Sequence, residues 1–292
     1  MKIKEINVSK SGVIPNASYS NLKPAYSITV ELENGENEEE AIMKCKAIVN
    51  RHFELDEYSA RVDLIQKQFK TLRFYPTPEG VKYPSATSVL YYDKDFFKSK
   101  GELLQYGSMG TIIHTVFWFA LKSYQSDIAK GKKDIKIIWK DPTEFPELEK
   151  HVGIVKEGSL QLKWENYSYQ IFGNIFIPKI KKVYAIEKTV LNPEIRVGGT
   201  LDLVADLELT KGNVKLSIVD LKTGTYDFMQ HAFYGKTWEK INNKKIEQMV
   251  TFPLGKTDNK QGYKSPIVET DINKYWDMML VKREEFRDTF EI

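Results

Sequence analysis

The sequence predicts an α/β (α+β) fold in which a central mixed β-sheet is flanked by helices. Apolar and polar residues alternate along 198–204 and 217–221, as expected for strands of a sheet. Residues 108–125 carry apolar side chains at helical spacing, and β-rich runs precede the first of these strands. With 292 residues, 41% of them hydrophobic, the chain can bury a substantial core in one large domain or two smaller ones.

Residues 1–55 are predicted to form a small β-β-α unit. The alternation over 26–32 indicates a strand that Asn34-Gly35 ends, and Asn37 is expected to cap a helix with an acidic first turn. Cys45 falls on the apolar stripe of that helix and is interpreted as a small core residue. The unit has no assigned function and is a candidate surface for a protein partner.

Three helices are predicted over the next part of the chain. A helix is expected over 57–70, and Ser85 or Thr87 can cap a short one within 83–90. The segment 108–125 is the clearest helix, with Ser108 as its expected cap.

Residues 134–195 are interpreted mainly as strands because they are β-rich and divided by Pro, Gly and Asn. The expected strands are 135–139, 160–164, 167–177 and 183–191. After the central hairpin, a helix over 226–241, a strand over 246–254 and a final helix capped by Asp271 are expected.

The central hairpin carries the most suggestive charges. Asp220 and Lys222 are two residues apart, so on a strand both point to the same side, and Asp202 can lie beside them on the partner strand. Lys211-Gly212-Asn213 supplies the turn, with extra length expected at the tip. An ordinary surface ion pair, which contributes little to stability, is the simpler interpretation of the hairpin alone.

Composition excludes several classes of protein. The formal net charge is only +3, so a nucleic-acid surface has to be a local patch. One cysteine excludes an intramolecular disulfide and a cysteine-ligated iron–sulfur cluster, and it fits a reducing cytosol. No apolar run approaches the roughly 18 residues of a membrane span, and the N-terminus lacks a secretion signal. A cytoplasmic protein without membrane association is therefore expected.

Two helices add polar groups to the hairpin. His114 lies in the apolar helix over 108–125, where a half-buried structural histidine is the alternative to a ligand. Gln230 and Tyr234, at i and i+4, share one face of the helix after the hairpin. Glu187, in the strand before the hairpin, either adds a carboxylate or is structural.

In this order, the motifs resemble the RecB-like branch of the PD-(D/E)XK nuclease superfamily over residues 83–255. The matching segments are Gly110-Thr111-Ile112-Ile113-His114, Gly199-Thr200-Leu201-Asp202, Asp220-Leu221-Lys222-Thr223-Gly224 and Gln230-His231-Ala232-Phe233-Tyr234. Residues 83–90 are similar to a segment that precedes the histidine helix in phage exonucleases and in the mitochondrial genome maintenance exonuclease.

The resemblance implies a restriction-endonuclease-like core within residues 56–292 and a Mg²⁺- or Mn²⁺-dependent deoxyribonuclease. It implies an exonuclease that acts on linear or single-stranded DNA in recombination, repair or phage DNA metabolism. Asp202, Asp220, the Leu221 carbonyl and His114 would bind the metal, and Lys222 would orient the attacking water. The other two implied residues, Gln230 and Tyr234, would contact the substrate phosphate or brace the metal ligands.

The chain departs from the family in two respects. Asp202 and Asp220 are 18 residues apart, which is longer than usual. The iron–sulfur cluster of the CRISPR-adaptation relatives needs four cysteines, and this chain has one. Two other functions stay open: a non-catalytic DNA-binding or assembly protein on the nuclease fold, and a replication or packaging partner that acts mainly through residues 1–55.

Overall fold

The computed structural model describes residues 5–15, 21–32, 36–94 and 99–292, so the predicted Asn34-Gly35 turn lies outside the described residues. Within these ranges no helix combines the length and apolar character needed to cross a membrane. The chain divides into two compact units. The first comprises Met1–Tyr92, Leu191–Gly198 and Val281–Ile292, and the second comprises Asp93–Val190 and Gly199–Leu280.

The first unit contains the predicted β-β-α arrangement. Strands β1 (Glu5–Ser11) and β4 (Ala25–Glu31) are antiparallel, and the short strands β2 (Ile14–Pro15) and β3 (Asn21–Leu22) pair between them in sequence. Helix α1 (Glu38–Gln68) follows. Its cap is Asn37, as predicted, and Cys45 is buried on it.

The separate helix predicted over 57–70 is instead the last part of α1, which ends at Gln68, because no glycine or proline interrupts its 31 residues. A second short antiparallel pair follows, formed by β5 (Phe74–Pro76) and β6 (Lys82–Pro84). Helix α2 (Ala86–Tyr91) begins after Ser85, whose hydroxyl accepts a hydrogen bond from the Ser88 N–H and so confirms the predicted cap.

The second unit begins with α3 (Lys100–Ala129), which is longer than the predicted helix. Its cap is Ser99, which forms a capping box with Glu102, so the predicted cap at Ser108 is wrong. Ser108 is instead buried inside the helix, where its hydroxyl contacts His151 Nδ1 at 3.2 Å.

A five-stranded mixed sheet is the framework of the second unit. Its order is β11 (Ile267–Glu269), β10 (Gln248–Pro253), β9 (Asn213–Lys222), β8 (Val197–Thr210) and β7 (Ile180–Asn192). The pairs β8–β9 and β10–β11 are antiparallel, whereas β9 and β10 are parallel. A parallel pair needs a crossover connection, which α6 (Phe228–Asn242) provides between β9 and β10. The predicted mixed sheet flanked by helices is confirmed.

Other sequence predictions for this unit agree with the structure. The runs 183–191, 226–241 and 246–254 coincide with β7, α6 and β10 to within a few residues. The last helix, α7 (Ile272–Phe290), has Asp271 at its start, and the Asp271 carboxylate accepts a hydrogen bond from the Lys274 N–H.

Three of the predicted strands are wrong. Residues 135–139 and 160–164 are not in strands, and helix α4 (Glu149–Glu157) lies between them. Residues 167–177 are largely helical as α5 (Tyr169–Phe176). Three aromatic residues, Tyr169, Phe172 and Phe176, recur at spacings of three and four and are all buried. Burial of one face of a helix therefore outweighs the β propensity of the individual residues in this segment.

The hairpin turn also differs from expectation. The turn at Lys211-Gly212 is tight, with Gly212 at φ +77° and Thr210 paired with Asn213. A register shift between Leu207 and Thr210 interrupts the ladder just before this turn. The extra residues between the two aspartates therefore lengthen the strands and do not form an extended tip.

Helix α3 anchors the hydrophobic core of the second unit. Phe117 is fully buried and contacts Trp139 and Phe252. The side chains of α3 that face this core are Met109, Ile112, Ile113, Val116, Phe117, Trp118, Ala120 and Leu121. The helix that carries His114 is therefore held in place by an extensive apolar contact with its unit.

Replacing Phe117 by alanine is expected to lower the free energy of unfolding by about 3–5 kcal/mol, because the change leaves a cavity in a packed core. Leu104→Ala on the same helix removes a side chain that is 56% exposed and should cost less than about 1 kcal/mol. Urea denaturation of both variants measures the difference. Equal losses would show that α3 does not anchor the core through Phe117.

Candidate metal centre

The two aspartates of the hairpin lie side by side on adjacent strands. The β8–β9 register pairs Leu203 with Val219, which places Asp202 and Asp220 at the next position of the ladder. Both are buried, at 8% and 3% exposure. The Asp202 carboxylate accepts a hydrogen bond of 2.7 Å from the Leu221 N–H. The sheet therefore brings two carboxylates together at a place where water does not screen them.

Lys222 lies beside Asp220, as the two-residue spacing predicted. Its Nζ is 2.8 Å from Asp220 Oδ2, and it also donates a hydrogen bond of 3.2 Å to Gln230 Oε1. The Gln230 amide nitrogen in turn donates to the Tyr234 hydroxyl oxygen at 3.0 Å. Strand β9 and helix α6 are thus joined by one chain of polar contacts that begins at Asp220.

A close backbone approach accommodates Tyr234. A Cβ atom added to Gly199 would lie 2.5 Å from a ring carbon of Tyr234. This distance is too short for a normal contact, so any larger residue would displace the ring. Glycine at this position of β8 therefore lets the ring pack directly against the strand. The ring position in turn fixes the hydroxyl that accepts from Gln230.

His114 reaches the same site from α3. Its Nε2 is 2.9 Å from the Leu221 carbonyl oxygen, and its Nδ1 is 3.8 Å from Asp202 Oδ2 and 3.7 Å from Glu187 Oε1. If Nε2 carries the proton and donates to the carbonyl, the Nδ1 lone pair faces the two carboxylates. With this tautomer the Leu221 carbonyl orients the imidazole. The predicted role of the Leu221 carbonyl as a metal ligand stays a prediction.

Glu187 joins the site through an unusual backbone. It has φ +49° within β7, a left-handed conformation that is uncommon for a residue other than glycine. Its carboxylate accepts a hydrogen bond from the Trp118 indole N–H. Strained backbone is concentrated at functional sites, so this conformation favours the interpretation of Glu187 as a functional carboxylate over the structural one.

Three ligand atoms converge where these elements meet. One atom each from His114, Glu187 and Asp202 lies within 4.8 Å of the others, and this is the one such group found among the residues that the structure describes. Carboxylate oxygens suit hard divalent cations, and an imidazole nitrogen is tolerated better by Mn²⁺ than by Mg²⁺. The donor set therefore fits a divalent metal ion.

The pKa values of Asp202 and Asp220 are shifted in opposite directions. Burial and the adjacent Asp220 raise the pKa of Asp202 to about 8, which outweighs the opposing effect of His114. Burial acts to raise the pKa of Asp220 as well, but Lys222 and His231 outweigh it and hold this pKa below its ordinary value. Without an added cation, the Asp202–Asp220 pair is therefore more stable with one carboxyl group protonated than with both ionised.

The two histidines near the aspartates also differ. Burial lowers the pKa of His114, but Asp202, Glu187 and Asp220 together outweigh it and raise the pKa above its ordinary value. Burial lowers the pKa of His231, whose ring is fully buried. The His231 ring nitrogens contact the Asp227 carbonyl at 2.9 Å and the Thr251 hydroxyl at 3.1 Å.

A cavity of about 480 Å³ opens beside the His114–Glu187 side of the site. Helix α3 supplies most of its lining, together with residues 145 and 147. His114 and Glu187 form part of its wall, so a molecule in the cavity would lie against two of the three candidate ligands.

All the residues predicted for the site belong to the second unit and meet around the end of the hairpin. Sequence reasoning missed Trp118 and His231. Trp118 follows His114 by four residues and so shares its helix face, a spacing from which it could have been identified. His231 lies inside the Gln-x-x-x-Tyr segment, and no sequence signal distinguishes it from a core residue.

The pKa of Asp202 predicts how stability depends on pH. Because the folded pKa of about 8 exceeds the ordinary value of 3.8, ionising Asp202 destabilises the metal-free protein progressively between these two pH values. Asp202→Asn removes this penalty. In EDTA, the free energy of unfolding of the variant relative to wild type should rise by several kcal/mol between about pH 4 and pH 8 and then level off.

Urea denaturation across this pH range measures the effect. Asp258→Asn, which replaces an exposed loop carboxylate, is the control and should give a nearly constant difference from wild type. A constant difference for Asp202→Asn as well would contradict the assignment of a raised pKa.

Comparison with protein-family models gave no match to this chain, and neither did comparison with curated proteins. The functional assignment therefore depends on the site geometry and on the motifs themselves.

Proposed function

We propose that this chain is a divalent-metal-dependent deoxyribonuclease that hydrolyses phosphodiester bonds. The observation that carries the proposal is the convergence of His114, Glu187 and Asp202 next to the Asp220–Lys222 ion pair. Three metal-ligating side chains beside a half-buried, positioned cation are the parts that phosphodiester hydrolysis requires. An ordinary surface ion pair would account for neither the burial nor the third carboxylate.

His114, Glu187 and Asp202 would hold Mg²⁺ or Mn²⁺, with Asp220 as a further carboxylate next to them. A divalent ion bound there would lower the pKa of a coordinated water and offset negative charge on the phosphate. The raised pKa of Asp202 means that binding a cation displaces a proton from this carboxyl group, so metal affinity should rise with pH up to about 8.

Lys222 is positioned for the second part of the chemistry. Burial acts to lower its pKa, but Asp220 and Asp202 outweigh burial and raise it above the ordinary value, so the ammonium group stays charged. A charged ammonium held by Asp220 and Gln230 can orient a water molecule and stabilise the charge that develops on a phosphate. Gln230 and Tyr234 keep this cation in place from α6.

The order of the elements supports the superfamily assignment. The histidine helix precedes an antiparallel hairpin that carries both aspartates, and a helix then leads to a strand parallel to β9. The order of the histidine helix, the two aspartate strands and the Gln-x-x-x-Tyr helix is what the resemblance implies. The preference for an exonuclease in recombination, repair or phage DNA metabolism rests on that resemblance alone.

Replacing Asp202, Asp220 or Lys222 by alanine is expected to lower the rate of DNA hydrolysis at least about a hundredfold, because the aspartates would hold the metal and Lys222 would stabilise charge on the phosphate. Release of nucleotides from end-labelled linear DNA, with Mg²⁺ or Mn²⁺ and with excess EDTA, measures it. Lys260→Ala, at an exposed loop lysine, should retain wild-type activity. Retained activity in any of the three site variants would contradict the proposal, and DNA binding without metal-dependent hydrolysis would favour a non-catalytic role.

Trp118→Phe should weaken Mn²⁺ binding about tenfold, because Glu187 loses the hydrogen bond that orients its carboxylate. Trp139→Phe is the matched control: its indole N–H donates to Asn174 at 2.8 Å and to none of the candidate ligands. Titration of Mn²⁺ by calorimetry measures both affinities. Equal affinities for the two variants would show that the Trp118 contact does not support a metal site.

A further inference from the structure

The cavity beside the metal centre is lined by chemically distinct groups. On α3, the Thr111 and Thr115 hydroxyls and the exposed Lys122 accompany His114 along the wall. The Thr111 hydroxyl already donates to the Gly107 carbonyl at 3.1 Å. The Thr115 hydroxyl and Lys122 can donate hydrogen bonds to an anion, and Lys122 also brings a positive charge. The α3 side of the cavity therefore favours a phosphate group close to the proposed metal site.

Aromatic rings form another part of the wall. Phe119 and Phe145 pack edge to face, with ring centroids 5.5 Å apart. The Lys140 Nζ lies 5.0 Å from the centroid of the Phe119 ring and 5.8 Å from that of Phe145. Phe119 is only partly buried and lines the cavity, so its ring offers a contact surface to whatever enters.

The carboxylate of Glu147 follows Phe145 closely in sequence and lines the same cavity. It repels phosphate but can accept hydrogen bonds from the amino groups of a nucleobase. The two rings and the Glu147 carboxylate match a base, and Lys122 with the Thr115 hydroxyl matches its phosphate. A purely apolar ligand would make no polar contact with Lys122, Glu147 or the Thr115 hydroxyl.

We propose that this cavity binds one unpaired nucleotide next to the scissile phosphate, with its base against Phe119 and its phosphate near Lys122. The inference rests on the proposed nuclease function and adds a preference for single-stranded DNA. A base can stack on an aromatic side chain only when its face is not covered by a neighbouring base. The volume of about 480 Å³ lies in the range of pockets that enclose one small ligand.

The test compares binding of a single-stranded oligonucleotide and a blunt duplex of the same sequence. Fluorescence anisotropy is measured with Ca²⁺ in place of Mg²⁺, so that binding is observed without the catalytic metal. Phe119→Leu should weaken single-strand binding about tenfold, because one stacking contact is lost. Phe119→Tyr keeps the ring and should bind within about twofold of wild type. Thermal melts identify any variant that fails to fold. If Phe119→Leu fails to fold, the binding of Phe119→Tyr, Lys122→Gln and Lys260→Gln tests the inference.

Lys122→Gln should weaken single-strand binding and reduce its salt dependence by about one phosphate contact. Lys260→Gln, at an exposed loop lysine that does not line the cavity, is the control and should bind as wild type. Unchanged single-strand binding in folded Phe119→Leu and Lys122→Gln would overturn the inference. Equal loss of duplex and single-strand binding would also overturn it, because the cavity would then not select unpaired bases.

The same variants separate this inference from the proposed function. If wild type hydrolyses DNA and Lys222→Ala does not, while Phe119→Leu binds single strands normally, the nuclease stands and the cavity assignment fails. If wild type hydrolyses nothing, yet Phe119→Leu and Lys122→Gln both lose single-strand binding, the cavity binds nucleotides and the catalytic assignment fails.

Discussion

The burial of two carboxylates side by side is the constraint on which the rest of the site depends. Asp202 and Asp220 lie on adjacent strands with little access to water, so their repulsion needs positive or dipolar partners. Lys222 contacts Asp220, and the Leu221 N–H donates to Asp202. His114, whose pKa is raised by these carboxylates, completes the compensation from α3 when it is protonated. This compensation is incomplete for Asp202, whose pKa is raised, and the proposed metal ion would supply the missing positive charge.

The hairpin and the helices around the site could be predicted because their patterns are local. Because side chains alternate between the two faces of a strand, the two-residue spacing predicted that Asp220 and Lys222 lie on the same face. The i, i+4 spacing predicted that Gln230 lies beside Tyr234. The runs over 135–139, 160–164 and 167–177 could not be assigned in this way. Aromatic residues suit both strands and buried helices, and only the tertiary packing of Phe172 and Phe176 decides between them.

The site residues on the hairpin and on the histidine helix could be predicted from the sequence, whereas the contribution of Glu187 could not. Asp202, Asp220, Lys222 and His114 belong to motifs with recognisable spacing. The contribution of Glu187 depends on a left-handed backbone within β7 and on an indole from α3, sixty-nine residues earlier in the chain. A positive φ at glutamate has no sequence signature. The spacing of Trp118 from His114 indicates a shared helix face, but it does not show that the indole contacts Glu187.

The tight turn at Lys211-Gly212 has a consequence for how such sites evolve and are recognised. Because the turn is remote from the aspartates along β8 and β9, two more residues in each strand would move it outward while every side chain kept its face. The number of residues between the two carboxylates is therefore not constrained by the chemistry. Sequence searches that fix this interval will overlook proteins with longer hairpins. Searches that let each strand lengthen by two residues at a time, which keeps every side chain on its face, will recover them.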